Sequence, residues 1–315
     1  MKNASFRTIL EDLKISYKFA TKNVISYILA IIGVFIAAGI LLVVVAAIVF
    51  VPFLFAIGGF EAFIILFDSF GAWSATEGVT IVAGIFLFAL PFIAPIFVAI
   101  GALFGVSREI VESEGTTAEG VFVWFKRKFF SLAGGGIVLF LFIMGPIILI
   151  SFGAVLLFGD QVLNIAFIGI GSGETLSPLL SALLMIWITI SSGLMTMLFP
   201  AIIDGHPVIE ATKRSIRMGI DYFDRVFGVW LANVGVILLL LAPVMVGPFT
   251  LGIGMPGLIA MGIYAIPMAL ILVFVALPAV SICLTRVYMI LSADNDDLSP
   301  QESEDEGGPN FIGGL

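Results

Sequence analysis

Six stretches of almost unbroken apolar sequence, at about residues 24–57, 79–105, 131–158, 178–203, 227–250 and 257–285, leave this chain few ways to fold. A helix needs about 20 apolar residues to cross the hydrocarbon core of a bilayer, and each stretch is long enough. Strand-like alternation is weak, and barrel strands of about 10 residues are much shorter than these runs. The expected fold class is all-α: a polytopic integral membrane protein with six transmembrane helices. Composition agrees, because 61% of the residues are hydrophobic and only 11% charged, against about a quarter in soluble domains. The first run starts only after residue 23 and is longer than a secretory core, so no signal peptide is expected. Cys283 is the sole cysteine, which excludes an intramolecular disulfide and a multi-cysteine metal site.

Charge sets the expected orientation. With the amino terminus in the cytoplasm, all 14 basic residues fall on one side: Lys2 to Lys22, Arg108, Lys126 to Lys128, Lys213, Arg214, Arg217, Arg225 and Arg286. The opposite loops hold only acids, Glu61, Asp68, Glu77, Asp160 and Glu174. Positive charge near helix ends is retained in the cytoplasm, so the chain is expected in the cell membrane, multi-pass, with both termini inside.

The charge also gathers on amphipathic segments that precede alternate spans. In residues 5–23, Phe6, Leu10, Leu13, Tyr17 and Ala20 share one helical face, against Arg7, Glu11, Lys14, Lys18 and Lys22. Residues 116–130 set Ala118, Val121, Phe122, Phe125 and Phe129 apart from the basic run Lys126 to Lys128. In the third segment Ile209, Thr212, Ile216, Gly219, Ile220 and Phe223 oppose Glu210, Lys213, Arg214, Arg217 and Asp221. Such helices lie in the membrane interface. Thr8 with Glu11 and Thr116 with Glu119 have capping-box spacing, and Pro207 suits a helix start. A base follows seven residues after each of Glu11, Glu119 and Glu210: Lys18, Lys126 and Arg217. Each segment leads into a span holding a proline (Pro52, Pro146, Pro243) and then a return span. The layout predicts three repeats of about 100 residues, each an interfacial helix plus a transmembrane hairpin. They form a single membrane domain, 1–292, with repeats at approximately 1–106, 107–204 and 205–292. Residues 293–315 carry acids without a base and are expected to form a disordered cytoplasmic tail. Phe60, Phe63, Ile64, Phe67 and Phe70 suggest a short aromatic helix at the outer interface, whereas 161–173 is too rich in glycine to assign.

One segment carries a family resemblance. FPAIIDGHPVIEATKRS, residues 199–215, joins a span ending in Phe-Pro to a polar turn and a helix with Glu-Ala and Lys-Arg-Ser. It resembles the poorly characterised prokaryotic membrane domains similar to the membrane domain attached to some glycerophosphodiesterases. The likeness implies a membrane domain of unassigned role, without the catalytic domain, and transfers no ligand-binding residue.

Candidate chemistry is sparse. His206 lacks a companion cysteine or second histidine for a metal, and Asp204 and Glu210 flank a turn, so capping or solvation is expected of all three. Gly134 to Gly136 sit inside a span, where close helix packing explains them. Ionisable groups are almost absent from the spans, which weakens a proton-coupled mechanism. The notable intramembrane polar groups are Asn233, the stripe Thr189, Ser192 and Thr196, and Tyr264. Helix-to-helix hydrogen bonding accounts for them, with lining of a permeation path as the competing role.

No catalytic, cofactor or metal residue emerges, and neither an enzymatic activity nor a nucleic-acid partner is expected. The favoured reading is a membrane scaffold or regulatory domain organising lipids or a protein partner, with Lys18, Lys126 and Arg217 as contacts to anionic lipid. The alternative is a transporter or lipid-handling permease for neutral or amphiphilic solutes, which predicts a central cavity lined by Asn233, Thr189, Ser192 and Thr196.

Overall fold

A computed structural model describes residues 6–68, 75–113, 119–158, 176–251 and 255–296. Every element among them is helical. In chain order they are α1 (Phe6–Lys22), α2 (Val24–Ile57), α3 (Phe60–Asp68), α4 (Ala75–Ser113), α5 (Gly120–Arg127), α6 (Phe129–Phe158), α7 (Leu176–Leu194), α8 (Leu198–Asp204), α9 (Val208–Asp221), α10 (Phe223–Leu251), α11 (Met255–Ile271) and, after a π-helical turn over Leu272–Ala276, α12 (Leu277–Asp296). Six helical stretches are long and apolar enough to span a membrane: Val24–Ile57, Phe86–Ser113, Phe129–Ile150, Ala182–Asp204, Phe223–Val244 and Gly262–Ala293. The chain thus has the make-up of a multi-pass membrane protein.

The spans agree with the apolar runs, with two extensions. α4 continues through Ser113 and α12 through Asp296. The acidic segment therefore begins inside a helix; residues 297–315 lie outside the described residues, as do Thr116, residues 161–173 and Phe70. Thr8 stands within α1 and so does not cap it, while Pro207 immediately precedes α9. The short outer helix is α3, whose Phe63 meets Phe50 edge-on at 5.5 Å. Proline does not break the spans: α2 runs through Pro52, α4 through Pro91 and Pro95, and α6 through Pro146.

Burial is uneven along the spans. In α2 the buried residues are Tyr27, Ala30, Ile31, Val34 and Ala38, all in its first half. Among the described side chains, those buried in α10 end at Asn233 and those buried in α4 begin at Pro95. The core therefore lies toward the end of the bundle that carries α1, α5, α9 and most of the arginines, here called the basic end. Toward the opposite end large apolar side chains such as Phe55, Leu149, Leu239 and Ile263 are exposed, as expected of surface facing lipid. There Trp187 Nε1–H donates to the Ile143 carbonyl at 3.0 Å, and Tyr264 Oη–H to that of Leu240 at 3.0 Å. These bonds tie α7 to α6 and α11 to α10.

The surface helices meet the spans through single-residue turns. Asn23, Lys128 and Tyr222 have φ/ψ of −106°/21°, −110°/13° and −120°/40°. Each still donates its N–H four residues back, to Phe19, Trp124 and Met218, at 3.0 Å. Each surface helix therefore changes direction into its span without losing the hydrogen-bond ladder.

Candidate functional site

A partly open cavity of about 340 Å³ lies between the spans, lined by α4, α6, the α7–α8 segment, α10 and α12. Its wall is mostly aliphatic and aromatic, including Phe97, Phe104, Leu139 and Phe199, with polar groups at Ser192, Thr196, Asn233, Ser281 and the indole N–H of Trp230. Its volume falls within the roughly 300–1,000 Å³ of small-molecule sites.

Local sequence explains how those polar groups reach the cavity. Ser192 and Thr196 stand where α7 ends and the chain turns at 195–197 before α8. Ser215 of α9 fastens that turn, accepting from the Met197 N–H at 3.1 Å and donating to the Leu194 carbonyl at 2.7 Å. Ser281 follows the π-helical turn, in which the Leu277 N–H reaches back to the Leu272 carbonyl. A proline ring in a regular helix clashes with the carbonyl four residues earlier, and the wider turn before Pro278 gives that ring room.

The hydroxyl protons here are committed to backbone. Ser192 donates to Ile188 at 2.6 Å, Thr196 to Ser192 at 2.8 Å, and Ser281 to Pro278 at 2.9 Å. Asn233, 3% exposed, donates Nδ2–H to the Val229 carbonyl at 2.9 Å. Its Oδ1 is buried and has no hydrogen-bond partner. An unmet acceptor of this kind costs about 1–3 kcal/mol. Because the Val229 carbonyl can only accept, it fixes which end of the amide faces it.

Polar networks close the basic end below the cavity. Tyr27 of α2, Ser107 of α4 and Ser281 of α12 form a buried hydroxyl chain with separations of 2.8 and 2.9 Å. Deeper toward the surface, Asp12 of α1 is 3% exposed and receives Arg225 Nη2 at 3.0 Å and Arg286 Nη1 at 2.6 Å. On the other side, Asp204 accepts from Arg108 at 2.8 Å and from Tyr288 Oη at 3.1 Å. Gly205, with φ +118°, ends α8 in a left-handed cap, its N–H bonding back to Ile202 and that of His206 to Ala201. This turn brings His206 against Glu210, Nδ1 to Oε1 at 3.1 Å, while Arg214 approaches Nε2 at 2.8 Å and also donates to Ser292. Asp204 Oδ2 lies 3.6 Å from the same Nε2, so the ring sits among two carboxylates and a guanidinium.

The sequence-predicted site residues divide. Asn233, Ser192 and Thr196 line the cavity. Thr189 is not in its wall; it stands farther along α7, its hydroxyl bonded to the Met185 carbonyl at 2.7 Å. Lys18 and Lys126 are exposed, and Arg217, 83% exposed, pairs with Asp221 at 3.4 Å. Counted back from Asn23 and Tyr222, Lys18 and Arg217 hold the same position; counted back from Lys128, that position is Val123, not Lys126. His206, Asp204 and Glu210, expected to be capping or solvated, belong to a network that joins α4, α9 and α12. Among the described residues no group of His, Cys, Asp and Glu is arranged to hold a metal ion. Asp12 and Ser281 were missed. Each is an ordinary residue in its local sequence and is distinguished only by distant partners.

Comparison with known protein families, curated proteins and solved structures gives no match.

Proposed function

We propose that this chain is a non-enzymatic membrane protein that holds an uncharged amphiphile between its spans, as a lipid-handling protein or permease. The observation carrying the reading is the cavity between the spans, whose wall is apolar apart from three hydroxyls, the Asn233 side chain and the Trp230 indole N–H. A well-packed scaffold has no need of such a space. The uneven burial agrees, because packing is dense beneath the cavity and no described residue in the outer halves of α2 and α10 is fully buried. Approach from the opposite leaflet follows, with the basic end as the closed side and, by the distribution of bases, the cytoplasmic one.

Three repeats account for the architecture. In support, the turns at Asn23, Lys128 and Tyr222 share a backbone conformation, and the residues four positions on, Tyr27, Leu132 and Val226, are all fully buried. So are Ser16, Val121 and Ser215, seven positions before. The likeness of residues 199–215 to glycerophosphodiesterase membrane domains belongs to the same proposal and brings no activity with it.

The test is native mass spectrometry of protein released gently from its own membrane. Wild type retains a neutral lipid or solute, and Ser192→Trp or Val280→Trp, each filling the cavity, releases it. Equal retention by the filled variants would refute the reading. The exposure of Lys18, Lys126 and Arg217 favours a second role, the gripping of anionic headgroups, at about 1 kcal/mol per base. Neutralising the three together should lower retention of anionic lipid, and an unchanged lipid profile would dispose of that role.

A further inference from the structure

Independently of the cavity, we propose that Arg225 and Arg286 hold the phosphate group of an anionic lipid at the basic end, beside Asp12. The proposal starts from a charge count. Among the described residues Asp12 is the sole carboxylate paired with either arginine, with Arg225 Nη2 at 3.0 Å and Arg286 Nη1 at 2.6 Å. The cluster therefore holds one more positive charge than negative. Elsewhere the balance is even or runs the other way: Arg108 meets both Glu112 and Asp204, and Arg7 and Arg217 each have a carboxylate of their own. Water does little to offset the surplus. The Arg225 side chain is 12% exposed and that of Arg286 24%, and a charge held so far from solvent calls for a counter-charge.

Donors are left over as well. Arg225 commits Nε and Nη2 to Asp12, and Arg286 commits Nη1. Arg225 Nη1 and the Nε and Nη2 of Arg286 have no hydrogen-bond partner among the described residues. Two planar guanidinium groups with spare N–H groups match the oxygens of a phosphate, and a phosphodiester brings the single negative charge that is missing. The surroundings favour a lipid as its source. The Phe6 and Leu10 side chains of α1 are exposed, and an apolar face of this kind sinks into the boundary between headgroups and acyl chains. That depth sets Asp12 and its arginines level with the headgroups. Over residues 281–292 of α12, Arg286, Met289 and Ile290 alone are not buried. Arg286 thus emerges on the outside of the bundle beside apolar side chains, a setting that suits a lipid better than a soluble phosphate. The exposed bases Lys18, Lys126 and Arg217 attract a negative surface in general, whereas this cluster takes one headgroup at a fixed place.

The test titrates the full chain, in an uncharged detergent, with dioleoyl phosphatidylglycerol or dioleoyl phosphatidylcholine and counts bound lipids by native mass spectrometry. Wild type should bind a first phosphatidylglycerol about tenfold more tightly than phosphatidylcholine, whose phosphate already has its own ammonium; one charge-assisted contact has this scale. Arg286→Gln should remove the preference. It leaves Asp12 paired one to one with Arg225, so no charge is stranded and the fold is kept. Neutralising Lys18, Lys126 and Arg217 together should weaken only the later, looser lipids. Excess inorganic phosphate should leave the first lipid bound; its displacement would support the phosphate site but overturn the lipid as its source. Equal binding of the two lipids by wild type would overturn the proposal, as would a preference unchanged by Arg286→Gln. The comparison of lipids on wild type requires no variant to fold.

Discussion

Replacing Asp12 with asparagine keeps the shape of the side chain and deletes one charge, and the effect follows from its neighbours. Asp12 accepts from Arg225 through Nε at 3.2 Å and Nη2 at 3.0 Å, and from Arg286 through Nη1 at 2.6 Å. The carboxylate is what allows two guanidinium groups to lie together under α1. Removing one partner of a buried ion pair costs about 3–5 kcal/mol, because the charge left behind is unpaired. The Arg225 side chain, 12% exposed, has little access to water, whereas Arg286, at 24%, recovers some hydration. The lower end, about 3 kcal/mol, is therefore expected. At about 2–4 °C per kcal/mol this predicts a loss on the order of 6–12 °C in the midpoint of thermal unfolding in nanodiscs. Asp221→Asn, which breaks the exposed pair with Arg217, should cost less than about 1 kcal/mol and serves as control. Replacing Asp12, Arg225 and Arg286 together by Leu, Met and Met should recover most of the loss, since no charge then remains buried. An Asp12→Asn midpoint within a degree of wild type would refute the reasoning, as would a triple variant no better than the single one.

Two further substitutions test the packing at the basic end. Tyr17 carries a buried hydroxyl without a partner; burial first, and the electrostatics of Cys283 second, raise its pKa above the ordinary value. A raised pKa means that the folded state holds the proton more tightly. Its contribution to stability is thus intact below about pH 10 and lost as pH rises through the folded value. Tyr17→Phe should flatten the alkaline decline and, at neutral pH, be neutral or up to about 1 kcal/mol stabilising, read as unfolding midpoints across pH 7 to 11; a marked loss at neutral pH would show that the hydroxyl has a partner. Gly105→Ala would bring a Cβ within 2.3 Å of Trp124 Cγ, where the indole is held by its Nε1–H to Glu109 at 2.8 Å. Overpacking of this kind costs about 1–3 kcal/mol, and the same change in a Trp124→Leu background should cost much less, so equal costs in the two backgrounds would exclude the indole as the cause.

How much was legible in the sequence depends on how far each residue's partners lie along the chain. The spans were legible because hydrocarbon length is a local property, and α2 occupies the run read from the sequence, 24–57. The surface helices were legible as helices, yet the faces they bury were not. In α1 the apolar stripe is exposed at Phe6 and Leu10, half-buried at Leu13 and Tyr17 and buried only at Ala20, while Asp12 and Ser16 beside it are buried. In α9 Ile209 and Ile220 are exposed, while Ala211, Ser215 and Met218 are buried. Periodicity finds an apolar face, but in an interfacial helix that face turns to lipid, and the smaller residues beside it take the protein contacts. Asp12 could not be recognised from its surroundings, because its partners lie 213 and 274 residues away. Asn233 could, since an amide within a span is conspicuous. Thr189 shares a stripe with Ser192 and Thr196 in sequence but not a place in the cavity wall, because the cavity does not reach that turn of α7.

The buried hydroxyls Ser107 and Ser281 and the amide of Asn233 lie where the packed half of the bundle gives way to the cavity. At that level Ser281 faces both ways. It accepts from Ser107 in the hydroxyl chain that runs to Tyr27, and it contributes to the cavity wall. The π-helical turn before Pro278 lies one step farther toward the cavity on the same helix, so the most irregular backbone among the described spans borders the proposed occupant. Below this level lie the charged groups, with Asp12 and Asp204 each drawing arginines from other helices. The bundle is thus fastened by ion pairs at the basic end, by hydroxyls deeper in, and beyond the cavity by apolar contact with two hydrogen bonds, from Trp187 to Ile143 and from Tyr264 to Leu240. Strength of fastening falls in the same order, which makes the outer halves of the spans the part able to yield as an amphiphile enters while the basic end stays closed.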